Sequence, residues 1–207
     1  MNILDLSCGF SPATVQKIKT REIPLKSDQT AYTGMVYDLE VNSMDGSYID
    51  LPGHIRETDR GERADNLPPE NFYRVSCSVI RLNRESGSGA VSGAELESAF
   101  GGKVRTPALI INALGSREPD EIDNRSVWLD FSALDWIIRC GIRLLVSDIY
   151  ESKRLDGVFL KLFAAGVSTV CMPENLFKIP DEVLLTIAFP RWPTTQIPCV
   201  LLAEYQE

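Results

Sequence analysis

The chain has 207 residues and a formal net charge of −8, with 44% hydrophobic and 24% charged residues. That length suits one large domain able to bury a core without disulfide or metal staples, and the acidic balance argues against nucleic-acid or anionic-membrane partners, which need a basic face. No window approaches the roughly 20 apolar residues of a membrane span. The five cysteines (Cys8, Cys77, Cys140, Cys171, Cys199) are scattered, without a C-x-x-C pair, which disfavours a disulfide framework or zinc knuckle and makes a reducing cytoplasm the expected setting.

In chain order, MNILDLSCGF has neither the basic lead nor the long apolar run of a signal peptide, and it reads as an opening strand. Residues 31–43 are a short apolar stretch, and 56–70 form a polar loop broken by Gly61 and Pro68–Pro69. A strand is predicted over 74–82, where Val75, Cys77 and Val79 alternate with Arg74, Ser76 and Ser78. The run RESGSGAVSG (84–93) reads as a turn, and its glycines do not match the dinucleotide spacing. Ser92 and Glu95 form a capping box for a helix ending at Gly101–Gly102. Residues 105–114 make a nearly continuous apolar strand, as burial on both faces requires. Ser132 is expected to cap a helix closed by Gly141, followed by a strand at 142–148. Leu155, Phe159, Leu162 and Phe163 then mark a helix over 155–165 closed by Gly166. Further strands are expected around 167–172, 184–189 and 198–203. This order fits a single α/β domain over residues 1–207, a mixed sheet with helices on its faces.

The chemistry concentrates in MDGSYIDLPGH (44–54), which ends in the only histidine, His54. Pro52 and Gly53 bend the chain between Asp50 and His54, and an aspartate beside a histidine fixes the imidazole tautomer and raises its basicity. Tyr48 alternates with Asp50, so its hydroxyl falls on the same side of an extended segment. Asp, Pro and Gly also form turns whatever the function, and a lone loop histidine is usually only solvated. Spacing alone leaves both readings open. No serine sits in a G-x-S-x-G elbow, so a serine triad is not supported.

The same segment resembles the H-x-G-T-H-x-D-x-P-x-H motif of the cyclase-like family that includes bacterial kynurenine formamidase and isatin hydrolase. Gly46, Asp50, Pro52 and His54 stand in register and Ser47 replaces the threonine. The resemblance extends through 3-ILDLSCGFSP-12, 64-ADNLPPENFYRVSCSVI-80, 107-PALIINAL-114, the 128–152 segment with Asp148 and Ser152 at recurring positions, and 166-GVSTVCMPENLFKI-179. It implies a cyclase-like (swivelling β/β/α) fold, a small-molecule substrate and a homo-oligomer, dimer or tetramer; Trp128, Trp136 and Trp192 are candidates either for its contact surface or for the core.

The family binds a metal pair through the first two motif histidines, the aspartate, a helix histidine and a strand glutamate, and uses the last motif histidine as acid/base. By that register the ligand positions read Met44, Tyr48, Phe159 and Cys171, and only Asp50 is kept. The resemblance therefore implies a degenerate metal site and no cofactor. His54, Asp50 and Tyr48 are the expected catalytic groups, with Met44, Ser47, Phe159 and Cys171 lining the substrate pocket. Three functions compete: a metal-independent acid/base enzyme acting by cyclisation, dehydration, elimination or hydrolysis of a labile bond; a non-catalytic binding or regulatory relative; and a metal-dependent amide or lactam hydrolase with a site rearranged around Asp45, Asp50, His54, Cys171 or Glu174.

Overall fold

The computed structural model describes residues 1–84, 88–117 and 121–206, so parts of the turn expected at 84–93 and of the loop at 115–127 lie outside the described residues. A nine-stranded sheet dominates. Its parallel centre consists of β5 (Val75–Arg81), β7 (Ala108–Asn112), β9 (Leu144–Ser147) and β10 (Ser168–Cys171). Burial on both sides explains why β7 and β9 read as unbroken apolar runs: every residue of both is buried.

Antiparallel strands extend both edges. Next to β5 come β11 (Glu182–Ala188), β13 (Val200–Tyr205) and β1 (Asn2–Asp5). Beyond β10 come β4 (Tyr48–Asp50) and β12 (Gln196–Pro198). Three helices belong to the core on one face: α2 (Gly93–Phe100), α3 (Phe131–Arg139) and α4 (Val158–Ala164), contributing Leu96, Ile137 and Phe163 against Leu109, Ile111 and Leu145. On the other face, Ile49 of β4 shares a core with Val183, Ile187 and Leu201, although these strands lie far apart in the sheet order. The sheet therefore curls until its distant strands bury one another, and no helix is needed there.

Local chemistry corrects several expectations. Ser92 Oγ does accept from Glu95 N at 3.2 Å, but the Glu95 carboxylate turns to Arg84 instead of closing the box. The cap of α3 is Asp130, whose Oδ1 accepts from Ala133 N at 2.9 Å; Ser132 donates to Asp130 and accepts from Gly93 N, joining two helix starts. Helix α4 begins at Val158, after left-handed Gly157, so Leu155, itself at φ 57° and exposed, is not part of its apolar face. Within the run read as a turn, Gly89–Val91 forms β6, parallel to β8 (Val127–Leu129). Trp136 is core, whereas Trp192 is half exposed. None of the five cysteines is in a disulfide, and among the described residues no helix is long and apolar enough to cross a membrane.

The largest departure is the apolar stretch at 31–43. It supplies β3 (Ala31–Asp38), which pairs with β2 (Lys19–Lys26) in a hairpin outside the main sheet. A short helix, α1 (Pro12–Val15), precedes this arm.

Candidate active site

Sheet register assembles the site. In antiparallel pairs, residues directly opposite one another project to the same face. Cys171 and Pro198 flank Tyr48, and Thr169 and Gln196 flank Asp50. Tyr48 and Asp50, two apart on one strand, share that face. The outcome is a polar row, Thr169–Asp50–Gln196, beside a row carrying a phenol and a thiol. Past β4, Pro52–His54 forms a 3-10 turn closed by His54 N donating to Leu51 O at 2.8 Å, and this turn swings His54 back toward the polar row.

The expected Asp50–His54 pair has an intermediary. Gln196 Nε2 donates to Asp50 Oδ1 at 2.7 Å and lies 3.3 Å from His54 Nε2, while its Oε1 accepts from Ser43 Oγ at 2.6 Å. With the amide so oriented, the imidazole Nε2 is an acceptor, which fits a neutral ring carrying its proton on Nδ1. The imidazole is exposed on one side and meets the Phe163 ring edge-on, with centroids 6.4 Å apart. Nothing in the sequence pointed to Gln196, 142 residues beyond His54; only the β4–β12 register brings it there.

Asp50 is almost fully buried, and desolvation raises its carboxyl above the usual carboxylate range despite the Gln196 donor and nearby His54. Its Oδ2 lies 3.8 Å from Cys171 Sγ. Burial, and then the Asp50 charge, push the Cys171 thiol well above its ordinary value, and the same two causes raise the Cys199 thiol to about 12. Cys171 is therefore held as a protonated thiol, unsuited to nucleophilic attack as a thiolate. Burial likewise raises the Tyr48 phenol, so the hydroxyl keeps its proton and is available to donate a hydrogen bond.

A cavity of about 250 Å³ opens beside this row, lined by Tyr48, Cys171, Phe159, Tyr150, Arg125 and Asp148 among others. Phe159 closes one wall, its ring 5.0 Å from Tyr150 and 5.8 Å from Phe163. Of the expected pocket residues, Phe159 and Cys171 reach the cavity, whereas Met44 and Ser47 do not line it. Met44 is exposed. Ser47 is spent on structure: its Oγ donates to Met172 O at 2.5 Å and accepts from Cys8 N at 2.7 Å. Asp50 and His54 do not line the cavity. Asp148 is a brace between strand ends, its carboxylate accepting from Ala113 N, Leu114 N and Asn112 Nδ2 at 2.9–3.0 Å.

The donor set does not fit a catalytic metal, which needs about three protein ligands. Met44, Tyr48 and Phe159 offer no good ligand at three of the implied positions. Asp45 is turned away, accepting from Asn42 N at 3.0 Å. Among the described residues no three His, Cys, Asp or Glu side chains are grouped to hold an ion.

A family model described as "Putative cyclase" matches residues 4–152. The chain belongs to the cyclase family. No curated protein matches it by sequence. Among solved structures it is similar to a predicted metal-dependent hydrolase from Bacillus stearothermophilus, at 15% identity and TM-score 0.65, over 98% of this chain and 97% of that one. It is similar to isatin hydrolase A from Ralstonia solanacearum, at 16% identity and TM-score 0.73, over 98% and 91%. Isatin hydrolase A from Labrenzia aggregata gives 17% identity and TM-score 0.72, over 99% and 94%. At these identities the likeness is one of fold, and the cyclase-like α/β architecture expected from the motifs is the one observed.

Proposed function

We propose that this cyclase-family chain is an enzyme of cyclase or hydrolase type that works on a small organic substrate without a bound metal or cofactor. The observation that carries this reading is the Asp50–Gln196–His54 relay beside a cavity where the metal-ligand positions implied by the resemblance hold a phenol, a thiol and a phenyl ring. A metal would lower the pKa of its bound water to about 7, and this donor set does not support that route. His54 is the acid/base, the buried Asp50 holds Gln196 and through it the imidazole, and Tyr48 donates to the substrate. Positioned acid/base catalysis contributes about 10²–10⁴-fold, enough for ring closure, dehydration, elimination or hydrolysis of an already labile bond. Five cysteines without a disulfide among them are compatible with a reducing cytoplasm.

The test is turnover by metal-stripped protein across a panel of labile lactones, imides, N-formyl compounds and β-hydroxy acids. Turnover persisting in chelator and falling about 10²–10⁴-fold in His54→Ala is the expected result. Turnover that needs stoichiometric zinc or manganese, or is unchanged in His54→Ala, overturns it. One observation favours a second reading, a non-catalytic small-molecule binder: the cavity is lined by Tyr48 and Cys171 but not by His54. Saturable binding of panel compounds with no turnover of any would select that reading.

A further inference from the structure

One carboxylate on the cavity wall is only half used. Glu151 lies between β9 and α4 and is 7% exposed. Its Oε1 accepts from Gly157 N at 3.0 Å and from Val158 N, which fastens the start of α4. Its Oε2 is buried and has no hydrogen-bond partner among the described residues. The donors that follow it in sequence are committed elsewhere. Lys153 Nζ bonds Asp123 Oδ2 at 2.6 Å, Arg154 pairs with Asp156 at 3.6 Å, and Ser152 Oγ donates to Asp156 Oδ2 at 2.7 Å. A buried carboxylate oxygen without a donor is costly, and the helix cap on its sister oxygen does not offset that.

The rest of the wall indicates what supplies the missing donor. Glu151 borders the cavity together with Tyr150 and Phe159. The Tyr150 hydroxyl donates away from the cavity, to Leu145 O at 3.0 Å and Val170 O at 2.8 Å, so the residue offers the cavity its ring. The other buried carboxylate on this wall, Asp148, is filled by the backbone donors of Ala113 and Leu114 and by Asn112. The guanidinium on the wall, Arg125, is exposed, so water screens it, whereas Glu151 acts from a dry position. An unmatched carboxylate oxygen and aromatic faces each favour a cation over a neutral donor. We propose that Glu151 Oε2 receives the protonated amino group of an amine-bearing substrate, whose apolar or aromatic body lies against Tyr150 and Phe159. The terminal torsion of a glutamate is broad, so Oε2 turns toward a bound donor while Oε1 keeps the start of α4. Glu151 is thus a specificity-determining residue, and its assignment rests on the reading that this cavity receives the substrate.

Titration calorimetry of the full chain at pH 7 tests the inference, with 2-phenylethylamine as the probe and 2-phenylethanol as its uncharged counterpart. The amine is expected to bind at least about tenfold more tightly than the alcohol. Glu151→Gln keeps an oxygen for Gly157 N and Val158 N but puts an NH₂ group where Oε2 stood. It is expected to bring the two affinities within about twofold of each other, with the affinity for the alcohol and the circular dichroism unchanged. A second readout needs no variant: in ¹H–¹⁵N spectra of the unmodified chain, the Gly157 and Val158 amides should shift with the amine and stay in place with the alcohol. Equal affinities, an advantage of the amine that survives Glu151→Gln, or Gly157 and Val158 amides that ignore the amine each overturn the inference. Where the alcohol binds and the amine gains nothing, the cavity remains the substrate site and only the role of Glu151 is lost. Binding of neither probe also overturns the inference, and if the panel of labile compounds binds no better, the reading of the cavity falls with it.

Discussion

At the scale of single residues, the site holds one group in a place that costs stability. Asp50 is buried at 4% exposure, and desolvation raises its carboxyl above the ordinary value. A carboxyl whose folded pKa exceeds its unfolded one binds its proton more tightly in the fold. Its contribution to stability is present below the unfolded value and is lost as pH rises through the folded pKa. At neutral pH the buried charge therefore works against folding, tolerated because Gln196 Nε2 and Cys171 Sγ surround it. An asparagine in its place would still accept from Gln196 without carrying charge. Asp50→Asn should raise Tm at pH 7 by about 2–4 °C, the response of a chain this long to about 1 kcal/mol. The gain should shrink as pH is lowered through the Asp50 titration, and turnover of any identified substrate should fall. A Tm that drops at pH 7, read by differential scanning calorimetry, would show that the charged form is the stabilised one.

At the scale of elements, the motif segment separates residues kept for geometry from residues available for chemistry. Gly46 has φ 66°, and a Cβ built there would lie 2.7 Å from the backbone oxygen of Cys8. Ser47, beside it, clamps Cys8 N and Met172 O. This part of the motif fastens the start of β4 to the chain following β1 and β10, which fixes where Tyr48 and Asp50 point. Gly46→Ala should therefore destabilise by about 2–4 kcal/mol, combining left-handed strain with a backbone clash, and urea denaturation would measure it. A loss under about 0.5 kcal/mol would mean that the Cys8 loop yields freely. The central strands β7 and β9 are legible in the sequence because burial on both faces leaves an unbroken apolar run. The hairpin is half legible: β3 is apolar, but β2 mixes Lys, Arg, Glu and Pro and shows no face because neither side enters the core. The start of α4 is misread because Leu155 falls at helical spacing while its backbone is left-handed, a fact that hydrophobic periodicity does not encode. Of the site, Tyr48, Asp50 and His54 are visible as one short segment. Gln196 is not, since a pairing register between β4 and β12 leaves no local signal.

At the scale of the whole molecule, a fold similar to that of a predicted metal-dependent hydrolase carries a donor set that, among the described residues, does not fit a metal. The fold does not require one: two apolar cores, one under the helices and one inside the curl of the sheet, account for its cohesion. An ion that binds only the native state stabilises by RT ln(1 + [L]/Kd), about 2.7 kcal/mol at a hundred times Kd. For a chain of this length that would move Tm by roughly 5–10 °C. We therefore expect that 1 mM zinc or manganese, added to protein stripped by chelator, leaves Tm within about 1 °C, the response to a Kd well above millimolar. Stripping should leave it equally unmoved. The same titration on a Met44→His, Tyr48→His, Phe159→His and Cys171→Glu variant restores the ligand types implied by the family register, and there a metal-dependent rise in Tm is expected. A rise in the unmodified protein instead would place a rearranged ion site in this fold and favour metal-assisted hydrolysis over the metal-independent reading.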